Sequence, residues 1–263
     1  MLAQRLEGDD VRLPEVLYRL YGKVLKKDIP TEKLPGHIGM VVDGNRRWAK
    51  LAGAPTVHGH QAGADNIVEF LGWCRELKIP TVTLYMLSTD NMSRSNDELD
   101  DLMGIIANML DRLAEQHDLC VQPMGAYDEL PDYLSNKLHA LAESSQNASG
   151  LHVNIAIGYG GRAEIVDAVK ELLSDADAAG TSLAEVARGL EVEDISRYLY
   201  TRGQPDPDLV IRTSGEQRLS GFLTWQSAYS EFYFCEALWP DFRKVDFLRA
   251  LRDFTDRQRR FGS

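Results

Sequence analysis

Short apolar runs rich in β-branched residues recur along the chain and alternate with longer segments that have helical periodicity. The pattern predicts strands at residues 38–42, 81–87, 120–124, 151–157 and 209–212, with a sixth at 232–234. Continuous apolar runs of this length, without an alternating polar face, are typical of strands that are buried on both sides.

The intervals between the strands have the spacing of amphipathic helices. Residues 99–113, for example, place Leu102, Ile105, Ile106 and Met109 on one helix face. We predict further helices at residues 66–77, 130–142 and 162–173, and short helices within an acidic surface segment at 174–194. Strands that alternate with helices need crossover connections, which produce parallel strand pairs. The sequence therefore predicts an α/β fold with a single central, mostly parallel sheet flanked by helices.

The chain shows no Pro- or Gly-rich linker, composition shift or internal repeat that would divide it. We predict one domain over residues 34–263, preceded by a helical extension over residues 1–33. The extension contains a segment at 14–27 whose apolar positions lie on one side of a helix and whose basic residues lie elsewhere. Such a helix can pack against a domain or lie on a membrane surface, and packing is the more common arrangement.

Composition narrows the classes of function. The net charge of −11 disfavours general binding to nucleic acid but permits a local basic pocket for a small anion. The apolar runs are all under ten residues, too short to cross a bilayer, and the N-terminus has no apolar signal core, so we expect a cytoplasmic protein. The scattered Cys74, Cys120 and Cys235 suit reduced thiols. His58 and His60 lack a third ligand at the spacing of a zinc site.

Polar segments follow four of the predicted strands. In open α/β sheets, ligands bind beyond the carboxyl ends of the strands. Three of the four segments contain arginine, which matches phosphate oxygens with two donors. The segments are residues 43–47, 88–91, 158–162 and 212–220. We interpret this edge as a pocket for more than one phosphate, although βα loops are polar and Gly-rich in many proteins without such a pocket.

A single carboxylate, Asp43, stands at the end of the first strand beside Arg46 and Arg47. An ion pair is one explanation. Mg²⁺ is another, because this ion often takes one or two carboxylates together with substrate phosphate oxygens. We therefore predict that Asp43 binds Mg²⁺. Three acids at i, i+3 and i+4 of a predicted helix form an alternative site, although such acids more often occupy a solvated first turn: Asp97, Asp100 and Asp101.

Five motifs resemble those of cis-prenyltransferases, the undecaprenyl diphosphate synthase family. They are DGNRRWAK (43–50), GHQAGA (59–64), LYMLSTDNMSR (84–94), GYGGR (158–162) and DLVIRTSGEQRLSGFLTWQSAYSEFYF (208–234). The resemblance extends from about residue 34 to the C-terminus. It implies a Mg²⁺-dependent homodimeric enzyme with a deep apolar tunnel beside its sheet. Such an enzyme condenses isopentenyl diphosphate with an allylic diphosphate and makes a new Z double bond.

The resemblance also assigns roles to individual residues. The catalytic residues would be Asp43, Ser88 and Asn91, and Glu231 would help Asp43 with the metal. The allylic diphosphate would be bound by Gly44, Asn45, Arg46, Arg47, Trp48 and His60. The isopentenyl diphosphate would be bound by Arg212, Arg218, Leu219 and Ser220. A loop over the substrate would contribute Thr89, Asp90, Met92, Arg94 and Glu98. The C-terminal residues 260–262 would reach the active site of the partner subunit.

The sequence departs from the family pattern at three positions. Met92 replaces a tryptophan, Thr56 replaces a common arginine, and Met86 stands at a tunnel position that is often small in long-chain enzymes. A long side chain at the tunnel floor would stop elongation early, because overpacking a filled apolar site is unfavourable. We therefore predict that geranyl diphosphate receives one addition and becomes Z,E-farnesyl diphosphate.

Two alternatives to a short-chain enzyme stay open. A medium- or long-chain enzyme is compatible with Met86 if this flexible side chain moves aside. A non-catalytic partner subunit is the second alternative, but such subunits typically lose the metal acid and the phosphate arginines, which this chain keeps. The apolar product would favour peripheral contact with a membrane.

Overall fold

The computed structural model describes residues 22, 24–27, 29–93 and 96–257, without the side chains of Ser93 and Asn96. The chain forms two compact units. The larger unit is Pro35–Phe242, and the smaller combines Met1–Leu34 with Arg243–Ser263. Within the described residues, no helix has the length and apolar character that crossing a membrane requires. The predicted division into an extension over 1–33 and a domain over 34–263 stays a prediction.

The larger unit contains a six-stranded sheet in which every pair of neighbouring strands is parallel. The strand order is β3-β4-β2-β1-β5-β6. The strands are β1 His37–Val41, β2 Thr81–Ser88, β3 Leu119–Met124, β4 Leu151–Tyr159, β5 Leu209–Arg212 and β6 Glu231–Phe234. The α/β fold class and all six predicted strands are therefore confirmed, with shifts of one or two residues at the strand ends.

Helices connect the strands. In the larger unit they are α1 Asn45–Leu51, α2 Thr56–Glu76, α3 Asn96–Ala114, α4 Asp132–Ser145, α5 Gly161–Ala178, α6 Leu183–Gly189 and α7 Val192–Ser196. The predicted helix at 66–77 is only the second half of α2. We missed its first half because glycines lower helix propensity. Gly59 is needed there for packing, since a Cβ atom at this position would lie 2.1 Å from the backbone oxygen of Asn45 in α1.

The smaller unit contains α8, Lys244–Asp256, whose apolar side chains are buried. Residues 24–27 are helical, and Leu25 among them is buried. A Cβ atom added at Gly22 would lie 3.8 Å from Leu248 of α8, so the N-terminal segment and α8 are neighbours within this unit. Most of the predicted helix at 14–27 lies outside the described residues.

A buried polar network crosses the sheet towards its amino edge. Thr83 Oγ1 lies 2.8 Å from Nε2 of His37 and accepts a hydrogen bond of 2.9 Å from Asn154, which also donates to Gln204 at 2.6 Å. Burial lowers the pKa of His37, although the carbonyl of Pro205 opposes the effect. A neutral imidazole fits the contacts, because Nδ1–H can donate to the Pro205 oxygen while Nε2 accepts from Thr83. These polar groups satisfy one another.

None of the three cysteines is in a disulfide; Cys74 is buried, and Cys120 and Cys235 are partly buried. Their separation along the chain had predicted reduced thiols. Burial raises the pKa of Cys74 and of Cys120, so neither thiol is activated as a nucleophile.

Candidate active site

The turn after β1 places Asp43 at the carboxyl edge of the sheet. Gly44 follows with φ 114° and is the N-cap of α1. A Cβ atom here would lie 2.9 Å from the side chain and 3.1 Å from the backbone of Leu238. Both the positive φ and the lack of space restrict this position to glycine. This tight turn places Asp43 in the lining of a pocket of about 820 Å³.

The first half of α2 supports this turn from below. The indole N–H of Trp239 donates to the oxygen of Gly63 at 2.8 Å, and Asn66 donates to the Trp239 oxygen at 2.6 Å. The Trp239 backbone N–H in turn donates to the oxygen of Asp43 at 3.0 Å. The GHQAGA motif therefore acts through packing and hydrogen bonding behind the turn, in addition to His60, which lines the pocket.

Arg212 is the centre of charge in the pocket. Its side chain is only 6% exposed, and Nη2 donates to Oδ2 of Asp43 at 2.7 Å. Nη1 donates to Ser220 Oγ at 2.8 Å and to the backbone oxygen of Arg218. Arg47 approaches the same Asp43 oxygen at 3.7 Å. Since both arginine contacts fall on Oδ2, Oδ1 takes part in neither of them.

More exposed ion pairs surround this centre. Arg46, 58% exposed, lies 3.5 Å from Oε1 of Glu98, and Nε2 of His60 lies at the same distance from that oxygen. Glu216 contacts two arginines: Arg47 at 3.6 Å and Arg218. The pairs made by the exposed Arg46, Arg47 and Arg218 contribute little to stability. Sequence reasoning missed the role of Glu216, although an acid between two arginines of one loop was a signal.

The pocket brings most of the predicted site residues together. Its lining includes Asp43, Gly44, Asn45, Arg46, Arg47, His60, Met86, Ser88, Asp90, Asn91, Arg212, Arg218 and Ser220. Apolar side chains line the same pocket: Val41, Val42, Tyr85 and Leu102. Other predicted residues are outside the lining: Trp48, Thr89, Met92, Glu98, Leu219 and Glu231. Arg94 and residues 260–262 lie outside the described residues. The site combines a charged mouth with apolar walls, which suits an amphipathic phosphate ester.

Ser88 and Asn91 lie at the carboxyl end of β2. The backbone N–H of Asn91 donates to Ser88 Oγ at 3.2 Å. Tyr85, three residues earlier, donates to the backbone oxygen of Ser220 at 3.2 Å. Burial raises the pKa of Tyr85, and a hydrogen bond with Ser88 partly offsets this effect. Tyr85 therefore stays neutral and links the end of β2 to the loop that carries Ser220.

The GYGGR segment does not line the phosphate pocket. Instead, Gly161 donates its N–H to the oxygen of Gly221 at 2.8 Å, and a Cβ atom at Gly161 would lie 2.4 Å from Thr224. Glu164 is buried and accepts from Tyr159 and, at 2.9 Å, from Gln226. Burial raises the pKa of Glu164 despite these hydrogen bonds. These contacts anchor the segment after Ser220, and the predicted part of residues 158–162 in the phosphate edge stays a prediction.

Glu231 does not meet Asp43 within this chain. Glu231 is the first residue of β6 and pairs with Leu209, whereas Arg212 at the other end of β5 pairs with Val41. The pair formed by Glu231 and the pair formed by Arg212 are three residues apart along β5, or about 10 Å. Among the described residues no group of three or more His, Cys, Asp or Glu side chains is placed to hold a metal. The alternative acids are exposed in the first two turns of α3: Asp97, Asp100 and Asp101.

Asp43 by itself fits the donor set that Mg²⁺ needs at a diphosphate. This ion is commonly bound by one or two carboxylates, with the remaining ligands supplied by substrate phosphates and water. The Asp43 side chain is 32% exposed and faces the pocket, and its Oδ1 is engaged by neither arginine.

Comparison with known proteins gives consistent results. The family model described as "Putative undecaprenyl diphosphate synthase" matches residues 41–262. A protein of Thermobifida fusca named (2Z,6E)-farnesyl diphosphate synthase is 53% identical over 253 residues, covering 96% of this chain and 98% of the relative. Isoprenyl transferase 1 of Streptomyces avermitilis is 52% identical over 251 residues, covering 95% of this chain and 98% of the relative.

A solved structure has the same fold. The lavandulyl diphosphate synthase of Lavandula x intermedia, in complex with dimethylallyl diphosphate, superposes with a TM-score of 0.83. It is 34% identical in sequence, and the match covers 88% of this chain and 100% of that chain.

Proposed function

Because this chain belongs to the cis-prenyltransferase family, we propose that it condenses isopentenyl diphosphate with geranyl diphosphate to give Z,E-farnesyl diphosphate. The observation that carries the proposal is the pocket itself, in which the cationic groups around Asp43 share one cavity with the apolar Met86 and Leu102. The names of close relatives support a short Z product. The chain is a prenyl-transferring enzyme of isoprenoid biosynthesis, and the resemblance drawn from its motifs is confirmed.

The two diphosphates would occupy the two cationic sides of the pocket. Arg46 and Arg47 at the start of α1 would hold the allylic diphosphate, and the loop containing Arg218 and Ser220 would hold the isopentenyl diphosphate. Arg212 lies between these sides, since one guanidinium contacts both Asp43 and Ser220. Guanidinium groups match phosphate oxygens with paired donors, so this arrangement can align both substrates.

The condensation breaks the carbon–oxygen bond of the allylic diphosphate, and the electron pair leaves with the diphosphate. The terminal alkene carbon of isopentenyl diphosphate then bonds to the allylic carbon, and one proton is removed. Arg46 and Arg47 would stabilise the charge that develops on the departing group, where stabilisation accelerates the reaction most. Mg²⁺ bound at Asp43 would neutralise the same charge as a Lewis acid.

Ser88 and Asn91 would position the reacting groups by hydrogen bonding. An amide such as Asn91 is a poor base, and Tyr85 stays neutral because burial raises its pKa. A diphosphate oxygen is the better proton acceptor, because it is anionic and is already held in the pocket. In this scheme the protein binds, aligns and screens charge, and the substrate supplies the base.

Product length would be set at the apolar end of the pocket. Met86 is partly buried and lines the pocket together with Leu102 of α3. A side chain of this length leaves room for a short prenyl chain before the walls meet. The medium- or long-chain alternative requires Met86 to move aside.

A homodimer is the assembly that the family resemblance implies, and β6 offers a surface for it. Among the described strands, β6 is the last in the sheet order. Tyr229 beside it is 85% exposed and Phe234 at its end is 38% exposed. Exposed aromatic groups beside the last strand of a sheet are typical of a contact surface. Peripheral membrane contact and a cytoplasmic location are further proposals, the former resting on the apolar character of the product.

A product assay tests the proposed function. The full chain is incubated with Mg²⁺, labelled isopentenyl diphosphate and, separately, dimethylallyl, geranyl and farnesyl diphosphate, and chain length and double-bond geometry are then resolved. We expect one Z-containing farnesyl product from geranyl diphosphate. Long products would support the medium- or long-chain alternative instead. The absence of turnover with every starter would support the non-catalytic partner subunit and overturn the proposal.

A further inference from the structure

We propose that Thr213 is a positioning residue that holds the backbone of Asp43 and so fixes the carboxylate in the active site. The inference rests on the proposed function, because it assigns a task to a residue behind the catalytic acid. Thr213 directly follows β5, is fully buried and does not line the pocket. Thr213 can therefore act on the reaction only indirectly, and the contacts of its hydroxyl lead to Asp43.

One hydroxyl group contacts both the backbone N–H and the backbone oxygen of Asp43. The Asp43 backbone N–H donates to Thr213 Oγ1 at 3.0 Å, and Oγ1 donates to the Asp43 backbone oxygen at 2.7 Å. The Val41 oxygen lies farther away, at 3.3 Å, so the single hydroxyl proton is best used by Asp43. The hydroxyl acts as both acceptor and donor for the same residue.

These bonds matter because Asp43 lies in a turn, beyond the hydrogen bonds of the sheet. Strand β1 ends at Val41, so no strand partner is available to Asp43, and its N–H also donates to the Val41 oxygen within the turn, at 3.1 Å. The Trp239 N–H provides one further hydrogen bond, to the Asp43 oxygen. Without the hydroxyl, the Asp43 N–H would keep the longer turn contact with the Val41 oxygen and the Asp43 oxygen would keep the bond from Trp239, so the backbone of Asp43 would be held less firmly. Residues that orient a metal-binding group commonly change metal affinity 10- to 100-fold when they are removed.

The test compares Thr213→Val, which keeps the shape and removes the hydroxyl, with Thr213→Ser, which keeps the hydroxyl. Thr83→Val is the matched control. Thr83 is also a fully buried threonine of the same unit, and its hydroxyl is hydrogen bonded in the network at the amino edge. A merely structural loss of a buried hydroxyl should therefore appear in both valine variants.

Two measurements do not depend on turnover. The first is hydrogen–deuterium exchange of the Asp43 amide in the ligand-free protein. We expect about tenfold faster exchange in Thr213→Val, because a hydrogen bond of ordinary strength is lost. The second is calorimetric binding of inorganic pyrophosphate with and without Mg²⁺. We expect the Mg²⁺-dependent binding to weaken about tenfold in Thr213→Val and to stay within about twofold of the unmodified chain in Thr213→Ser and Thr83→Val.

Steady-state kinetics complete the test. The Mg²⁺ concentration for half-maximal activity should rise about tenfold in Thr213→Val and be restored in Thr213→Ser. Unchanged Mg²⁺ dependence and unchanged pyrophosphate binding in Thr213→Val would overturn the inference. If the unmodified chain makes no product, the proposed function fails, and pyrophosphate binding and amide exchange still decide the role of Thr213. If Thr213→Val does not fold, rapid exchange of the Asp43 amide in the unmodified chain would overturn the inference by itself.

Discussion

The two edges of the central sheet use polar residues in opposite ways. At the amino edge, His37, Thr83 and Asn154 are fully buried and hydrogen bond to one another. At the carboxyl edge, charged groups are held in a pocket, and several are half exposed. Among the described residues, buried atoms without a hydrogen-bond partner at this edge are Asn45 Oδ1, Arg212 Nε and Ser214 Oγ.

The polar groups at the amino edge stabilise the fold, whereas those at the carboxyl edge are available to a ligand. A buried polar network that satisfies itself makes the sheet more specific and has no capacity left for a ligand. Unsatisfied buried polar atoms are uncommon in native proteins and call for an explanation, such as a ligand that completes them. The carboxyl edge therefore has the physical signature of a binding site, whereas the amino edge has that of a core.

The largest effect is expected from Asp43→Asn. The amide retains the shape and can still accept from Arg212, but it removes the negative charge that would bind Mg²⁺. We expect kcat to fall about 10²- to 10³-fold, with thermal stability close to that of the unmodified chain. Asp101→Asn, at an exposed position near the start of α3, is the control. A comparable loss in the control would move the metal site to the acids of α3.

At the amino edge, Asn154→Leu should affect stability alone. The Asn154 side chain donates to Thr83 and Gln204 and accepts from Gln204 at 3.1 Å. Leucine fills a similar volume but leaves these partners unsatisfied, which should lower the free energy of unfolding by about 2–3 kcal/mol. Urea denaturation and kcat are measured on the same sample. A fall in kcat of more than about threefold in the folded protein would contradict the separation of the two edges.

Met86→Ala tests whether the apolar end of the pocket sets product length independently of the charged mouth. Shortening this side chain opens space next to Leu102, so products longer than farnesyl diphosphate should appear while the KM for isopentenyl diphosphate changes less than about threefold. Product chain length is resolved by chromatography. Leu102→Val is a smaller change in the same wall and should lengthen the product less. A product distribution unchanged by Met86→Ala would mean that another residue limits chain length.

The smallest effect concerns pH. The ordinary pKa of histidine is 6.5, and burial lowers the pKa of His37 and of His152 in the folded chain. As the pH falls through 6.5, the unfolded chain binds protons that the folded chain does not bind, so the free energy of unfolding decreases. Unfolding between pH 7.5 and 5.5 should show this loss, and His37→Gln should reduce it. An equal loss in His37→Gln would assign the effect to other groups.

Sequence alone predicted the sheet well, because each buried strand is a compact apolar run such as residues 209–212. It also predicted which residues would lie together, because the ends of parallel strands share one edge of the sheet. Arg212 ends β5, and Asp43 follows the end of β1. Helix α2 was predicted only in part, because the glycines that lower its propensity are explained by contacts with α1. Local sequence carries no information on such contacts.

Other details depend on geometry that no pattern reveals. The register of β6 on β5 decides where Glu231 lies along the sheet relative to Asp43. The two side chains do not meet within this chain, so their predicted shared role at the metal stays a prediction. The position of Gly161 against Gly221 depends on a contact between residues sixty apart in the sequence. Thr213 and Glu216 lie inside the motif at residues 208–234, but their roles follow only from the distances between Thr213 and Asp43 and between Glu216 and Arg47.

The ion pairs at the mouth of the pocket have a consequence for the rate of turnover. Arg46, Arg47 and Arg218 each already have a carboxylate neighbour, in Glu98 or Glu216. An incoming diphosphate therefore displaces resident counter-ions instead of neutralising bare cations, and part of its electrostatic attraction is offset. The same carboxylates return when pyrophosphate departs, so they compete with it for the arginines. The enzyme thus holds its anionic substrates less tightly than its arginines would allow, and clears its anionic by-product sooner.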